Sequence, residues 1–105
     1  MQGTELKEFI VAQLEEIKAR DIAVIEISQK STIADYMVIC SGTSNRHVKS
    51  IAVLLIKELK LNQLPPIGVE GEDASEWVLV DTGDVIVHVM LPTTRDYYQL
   101  EKLWQ

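Results

Sequence analysis

One stretch constrains this chain more than any other. Tyr36-Met37-Val38-Ile39-Cys40 is a short apolar run, Gly42-Thr43-Ser44-Asn45 is a corner, and Val48, Ile51, Ala52, Leu55 and Leu59 then recur at helical spacing. A β-branched strand that turns through glycine into an amphipathic helix must return to its sheet by a crossover. Crossovers are right-handed and join parallel strands. The segment that follows is a hairpin, with Trp77 to Asp81 and Asp84 to Met90 flanking Thr82-Gly83, and hairpin strands are antiparallel. The sheet is therefore expected to be mixed. Strands at Ile22–Ile27, Tyr36–Cys40 and Ile67–Val69, together with the two of the hairpin, make it about five strands flanked by helices, an α/β arrangement of the α+β kind. With 105 residues and 47% apolar content, the chain suits a single domain over residues 1–105 and one core.

The remaining elements follow from spacing. Leu6, Phe9, Ile10, Leu14 and Ile17 lie three and four apart within Thr4 to Arg20, which predicts a first amphipathic helix. Thr43 or Ser44 is placed to cap the second, and Leu64-Pro65-Pro66 stops it. Assuming a two-residue turn, Val80 pairs with Val85 and Val78 with Val87, and these join Val89 in a valine face assigned to the core. On the other face Trp77 then lies opposite His88, and Asp81 meets Asp84 at the tip. The final element, Thr94 to Trp104, is expected as one helix with Tyr97, Leu100, Leu103 and Trp104 in one stripe. Tyr98 falls on the opposite side, beside Glu101 and Lys102.

Charge is unevenly distributed. The net charge is -6, and from Leu61 to Thr94 there is no Lys or Arg, while Glu70, Glu72, Asp73, Glu76, Asp81 and Asp84 supply all of it. An acidic chain lacks the basic footprint of direct nucleic-acid binding and suits a basic partner. Nothing reads as a signal peptide. The longest aliphatic run, Ile51 to Ile56, is far shorter than a membrane span, so a cytoplasmic protein is expected.

Catalytic constellations fail one by one. The Gly42 corner offers helix N-terminal N–H groups, hydroxyls and Arg46 to an anion. It is not a phosphate-binding loop, because His47 and Val48 stand where glycine and lysine are needed, nor a nucleophile elbow, because Arg46 stands where glycine is needed. No closely spaced carboxylates follow it to hold magnesium; the next acid is Glu58. Cys40, His47 and His88 have no zinc spacing and no nucleophile–base partnership, and Cys40 is expected to be a buried strand residue. Asp81 and Asp84 flank a turn without a third ligand. His47 is expected as a neutral hydrogen-bonding side chain near the cap, and His88 as packing against Trp77. No enzyme, cofactor or metal site is expected, and Trp77 and Tyr98 remain as aromatic anchors for an interface.

Three stretches, DYMVICSGTSNRHVKSIA, GVEGEDASEWVLVDTGDVIVHVM and RDYYQLEKLW, together resemble the ribosomal silencing factor (RsfS, Iojap) family, from the first helix to the last residues. The resemblance implies a mixed sheet flanked by helices, related to nucleotidyltransferases without their catalytic carboxylates. It implies a non-enzymatic translational repressor that binds the large ribosomal subunit through ribosomal protein fourteen and blocks joining of the small subunit. It also implies a homodimer when free. By matching motif positions, the partner-binding residues are Glu70, Trp77, Asp81, Asp84, Tyr98, Glu101 and Lys102. Two alternatives stay open: a ribosome-biogenesis factor on the same surface, and a nucleotide-binding, transferase-like module using the Gly42 corner.

Overall fold

The computed structural model describes residues 1–104. The elements run α1 (Gly3–Glu16), β1 (Arg20–Glu26), β2 (Tyr36–Ser41), α2 (Asn45–Leu61), β3 (Gly68–Glu70), β4 (Trp77–Asp81), β5 (Val85–Met90), α3 (Pro92–Tyr98) and α4 (Leu100–Leu103). The five strands form one sheet in the order β1-β2-β5-β4-β3. β2 and β5 are parallel, joined across α2, and the other neighbouring pairs are antiparallel. The mixed sheet expected from the crossover and hairpin is the one observed.

The stripe on α2 works as its spacing requires. Val48, Ile51, Ala52, Leu55 and Leu59 are all buried, as are Leu6, Ile10 and Leu14 of α1. Both helices cover the sheet face that carries Val38, Cys40, Val78, Val80, Val85, Val87 and Val89. Removing each large aliphatic side chain from water there contributes roughly 1.5–3 kcal/mol. The opposite face carries a smaller cluster of Ile27, Ala34, Met37, Ile39 and Met90, against which Trp77, Ile86, Leu100 and Trp104 pack.

Gly42 earns its place by contact. A Cβ there would sit 2.7 Å from the Val48 backbone nitrogen, so α2 reaches the end of β2 only because residue 42 has no side chain. Its own N–H donates to Met90 O, extending the parallel ladder into the corner.

Two expectations are corrected. The hairpin turn is longer than two residues, so Val80 pairs with Val87, Val78 with Val89, Asp81 with Ile86, and Trp77 with Met90. Thr82 N–H and Oγ1 both bond Val85 O, and Gly83 takes a φ of 95°. A shift of two residues preserves which face each side chain occupies, so the valine face survives while every partner changes. The second correction concerns the C-terminal element. Gln99 adopts a left-handed conformation (φ 49°) and divides it into α3 and α4, so no continuous stripe forms. Leu100 and Trp104 reach the second cluster, whereas Tyr97 is 80% exposed and Leu103 is exposed. Tyr98 does not point away from the sheet; it packs on Trp77.

Candidate functional site

At the Gly42 corner, several of the groups that could hold an anion are engaged within the chain. Ser44 caps α2 by accepting from the His47 N–H at 3.1 Å, and Val48 N–H donates to Ser44 O. The His47 side chain returns to accept the Thr43 N–H at Nδ1, 2.8 Å away, an acceptor role that requires that nitrogen to be unprotonated. Asn45 Nδ2 donates to Ala74 O, tying the helix start to the acidic loop. The corner joins β2, α2 and the acidic loop.

The same end of the sheet also has an open side, since Trp77 pairs with Met90, whose carbonyl accepts the Gly42 N–H. Trp77 begins β4, and three aromatic rings lead outward from the sheet. The Trp77 and Tyr98 centroids are 4.9 Å apart and tilted by 50°, and Tyr97 meets Tyr98 edge-on at 4.9 Å. Such pairs contribute about 0.5–1.5 kcal/mol beyond area burial. The ridge ends in solvent, since Tyr98 is 50% and Tyr97 80% exposed. A hollow lies on each side. One, of about 230 Å³, is lined by Glu70, Gly71, Trp77 and Leu79; the other, of about 330 Å³, by Glu76, Leu91, Thr93, Thr94, Tyr97 and Tyr98. Each hollow has one carboxylate in its wall. The loop between them folds back sharply: Gly71 sits at φ 90°, where a Cβ would collide with Trp77 O.

Behind the ridge, the Trp77 Nε1–H donates to His88 Nδ1 at 2.9 Å. Although Trp77 faces Met90 in the ladder, its indole reaches His88 on the diagonal, a separation that long aromatic side chains span. Burial pushes the His88 imidazole down to about 4, so it is neutral at physiological pH. Cys40, buried in β2, is pushed up to about 12 by burial, with Arg95 opposing, and is held as an inert thiol.

The other residues singled out in the sequence lie elsewhere. Asp81 and Asp84 are at the far end of the hairpin from Trp77. Asp81 Oδ1 accepts the Gly83 N–H, and Asp84 Oδ2 accepts the Gly3 N–H, linking the turn to the start of α1. Glu101 faces Arg95, whose Nε donates to it at 2.6 Å. The same guanidinium donates to Asp21 O and Ser41 Oγ, so Arg95 ties α3 to α4 and to the ends of β1 and β2. Burial would raise the Glu101 carboxyl, but its backbone N–H and the hydrogen bond and charge of Arg95 outweigh this and hold it below the usual value. Lys102 is exposed at the rim of a polar cleft shared with Asp21, Ser41, Arg95 and Glu101. The structure thus brings together Glu70, Trp77 and Tyr98, and separates them from the Asp81–Asp84 turn and the Glu101–Lys102 segment. Among the described residues, no three His, Cys, Asp or Glu side chains converge as a metal site would require, and no helix is long and apolar enough to cross a membrane.

Sequence reasoning missed Tyr97 and Glu76, whereas the expected packing of His88 against Trp77 is present, on the diagonal rather than directly across the ladder. Tyr97 was assigned to a buried stripe because the break at Gln99 has no glycine or proline to announce it. Glu76, next to Trp77, was visible only as one acid in an acidic run.

Comparison with known proteins agrees with this architecture. Residues 2–105 match the family described as ribosomal silencing factor during starvation. The ribosomal silencing factor RsfS of Chromobacterium violaceum is 42% identical over 104 residues, covering 99% of this chain and 85% of that one. A mouse protein named mitochondrial assembly of ribosomal large subunit protein 1 is 43% identical over 100 residues, covering 92% of this chain and 44% of that one. A crystal structure of a Chromobacterium violaceum protein superposes with a TM-score of 0.95 at 42% identity, covering 99% of this chain and 87% of that one. On its sequence and on its fold, this chain belongs to the ribosomal silencing factor (RsfS) family.

Proposed function

We propose that this protein binds the large ribosomal subunit through ribosomal protein fourteen and blocks joining of the small subunit, acting in the cytoplasm without catalytic turnover. One observation carries the reading: an exposed Trp77–Tyr98–Tyr97 ridge stands between two hollows walled by Glu70 and Glu76. Aromatic side chains dominate interface energetics, and a carboxylate on either side suits the lysines and arginines of a basic ribosomal protein. The acidic segment from Leu61 to Thr94 extends that complementarity across the same part of the chain.

Family membership supports ribosome association, and silencing follows from docking where the small subunit must land. The test is sedimentation of purified protein with isolated large subunits, with and without added small subunits. Salt-sensitive co-sedimentation and a reduced yield of joined ribosomes are expected. Subunits that join normally at saturating protein would overturn the block. A second reading, assembly of the large subunit on the same surface, is favoured by the name of the mouse relative. It predicts stronger association with immature than with mature large subunits in the same sedimentation. A homodimer in the free protein is also proposed, to be read by equilibrium sedimentation.

A further inference from the structure

Of the hydrogen bonds around the ridge, the Trp77–His88 bond ties its first ring to the sheet. Trp77 is half-buried, and an indole in that position has several rotamers open to it unless something holds it. His88 is only 6% exposed, in β5 between two neighbouring strands, and so is itself immobile. Its Nδ1 accepts the Trp77 Nε1–H at 2.9 Å, and its ring centroid lies 5.8 Å from that of the indole. The next ring, Tyr98, rests on Trp77, and Tyr97 rests on Tyr98. Order therefore passes outward from a buried histidine to an exposed tyrosine through three consecutive ring contacts.

We infer that His88 is a positioning residue for partner docking: by accepting the Trp77 indole N–H it fixes the orientation of the whole aromatic ridge before the partner arrives. The inference rests on the docking reading above and adds a residue that does not touch the partner. An imidazole suits this task. Its Nδ1 is an acceptor in a ring as flat as its neighbours, whereas a leucine of similar size would leave the indole N–H to water and the ring free to turn. Fixing a side chain in advance removes an ordering cost from binding, which corresponds to a factor of roughly 2 to 10 in affinity for each side chain held.

The experiment uses two readouts on the full chain. The first is the Trp77 indole N–H resonance in protein labelled with ¹⁵N-tryptophan, assigned by its loss in Trp77→Phe. The second is co-sedimentation with large ribosomal subunits. In His88→Leu the resonance is expected to move and broaden, with binding weakened about fivefold or more. In His88→Gln, whose side-chain carbonyl can accept the same bond, both are expected to return to within about twofold of the wild type. Binding of His88→Leu within twofold of wild type, or no recovery in His88→Gln, would overturn the positioning role. If His88→Leu does not fold, His88→Met, which fills the space with only a weak acceptor, takes its place under the same two readouts and the same thresholds. Failure of the wild-type protein to co-sediment would overturn the docking reading. That result is distinguishable, because the indole resonance is read on the free protein and reports the lock alone.

Discussion

The Gly42 corner and the Trp77 ridge each contain a histidine, a turn and polar groups near a surface, yet they are built for opposite ends. At the corner, His47 and Ser44 accept backbone N–H groups that a ligand would otherwise take. At the ridge, His88 accepts the one polar group of Trp77 and leaves the apolar faces of Tyr98 and Tyr97 outside. Internal hydrogen bonding removes binding capacity in the first case and organises it in the second. The lesson is that a motif's residues matter less than whether their partners lie inside the chain or beyond it.

The sharpest way to break the comparison is Gly42→Ala. If the corner is a structural joint, the new methyl group against Val48 N should destabilise the fold by about 3 kcal/mol, read as a lower urea midpoint, while ridge residues keep their contacts. A loss under about 0.5 kcal/mol would mean that the corner relaxes freely and its closeness is incidental.

Acidification tests the ridge's histidine. The folded His88 value is depressed to about 4 from 6.5, so between those values the unfolded chain binds the extra proton. Its contribution is fully present above about pH 6.5 and is lost as pH falls toward about 4, by up to roughly 3 kcal/mol. Urea unfolding at about pH 7 and pH 4.5 should show this loss in wild type and less of it in His88→Gln. Equal pH dependence in the two proteins would remove His88 from the account.

For binding, Trp77→Ala should weaken association with large subunits by about 2 kcal/mol and Tyr98→Ala by about 1–2 kcal/mol, with the fold retained. Unchanged co-sedimentation in both would move the docking surface elsewhere. The smallest effect belongs to the cap. Ser44→Ala should cost about 1 kcal/mol of stability and leave subunit binding untouched, since the Ser44 side chain bonds within α2 and touches no ridge residue.

Much of the fold was legible because local periodicity and burial agree. The five apolar positions of the α2 stripe and the five valines of the hairpin face are all buried, as their spacings required. The hairpin register was not legible, because Thr82-Gly83 permits more than one turn length and the register follows from the turn. The division of the last helix was not legible either. Gln99 is an ordinary helix former, and it is held left-handed while Arg95 bonds Glu101 and Leu100 and Trp104 pack on the second sheet face. At the candidate site, Trp77, Tyr98 and Glu70 could be named from sequence, but their grouping could not. Asp81, Asp84 and Glu101 looked equivalent to Glu70 as acids, yet each accepts a bond from its own chain.

By itself, the sequence determined the element order, the mixed sheet, the two faces of the hairpin and the concentration of negative charge between Leu61 and Thr94. Those follow from periodicities of two and 3.6 and from composition, which act over a few residues at a time. Only the tertiary structure decided which carboxylates remain at the surface hollows, that Tyr97 faces solvent, and that His88 holds Trp77. Each of those depends on atoms distant in the chain meeting at hydrogen-bond or ring-contact distance, and local spacing carries no record of such meetings.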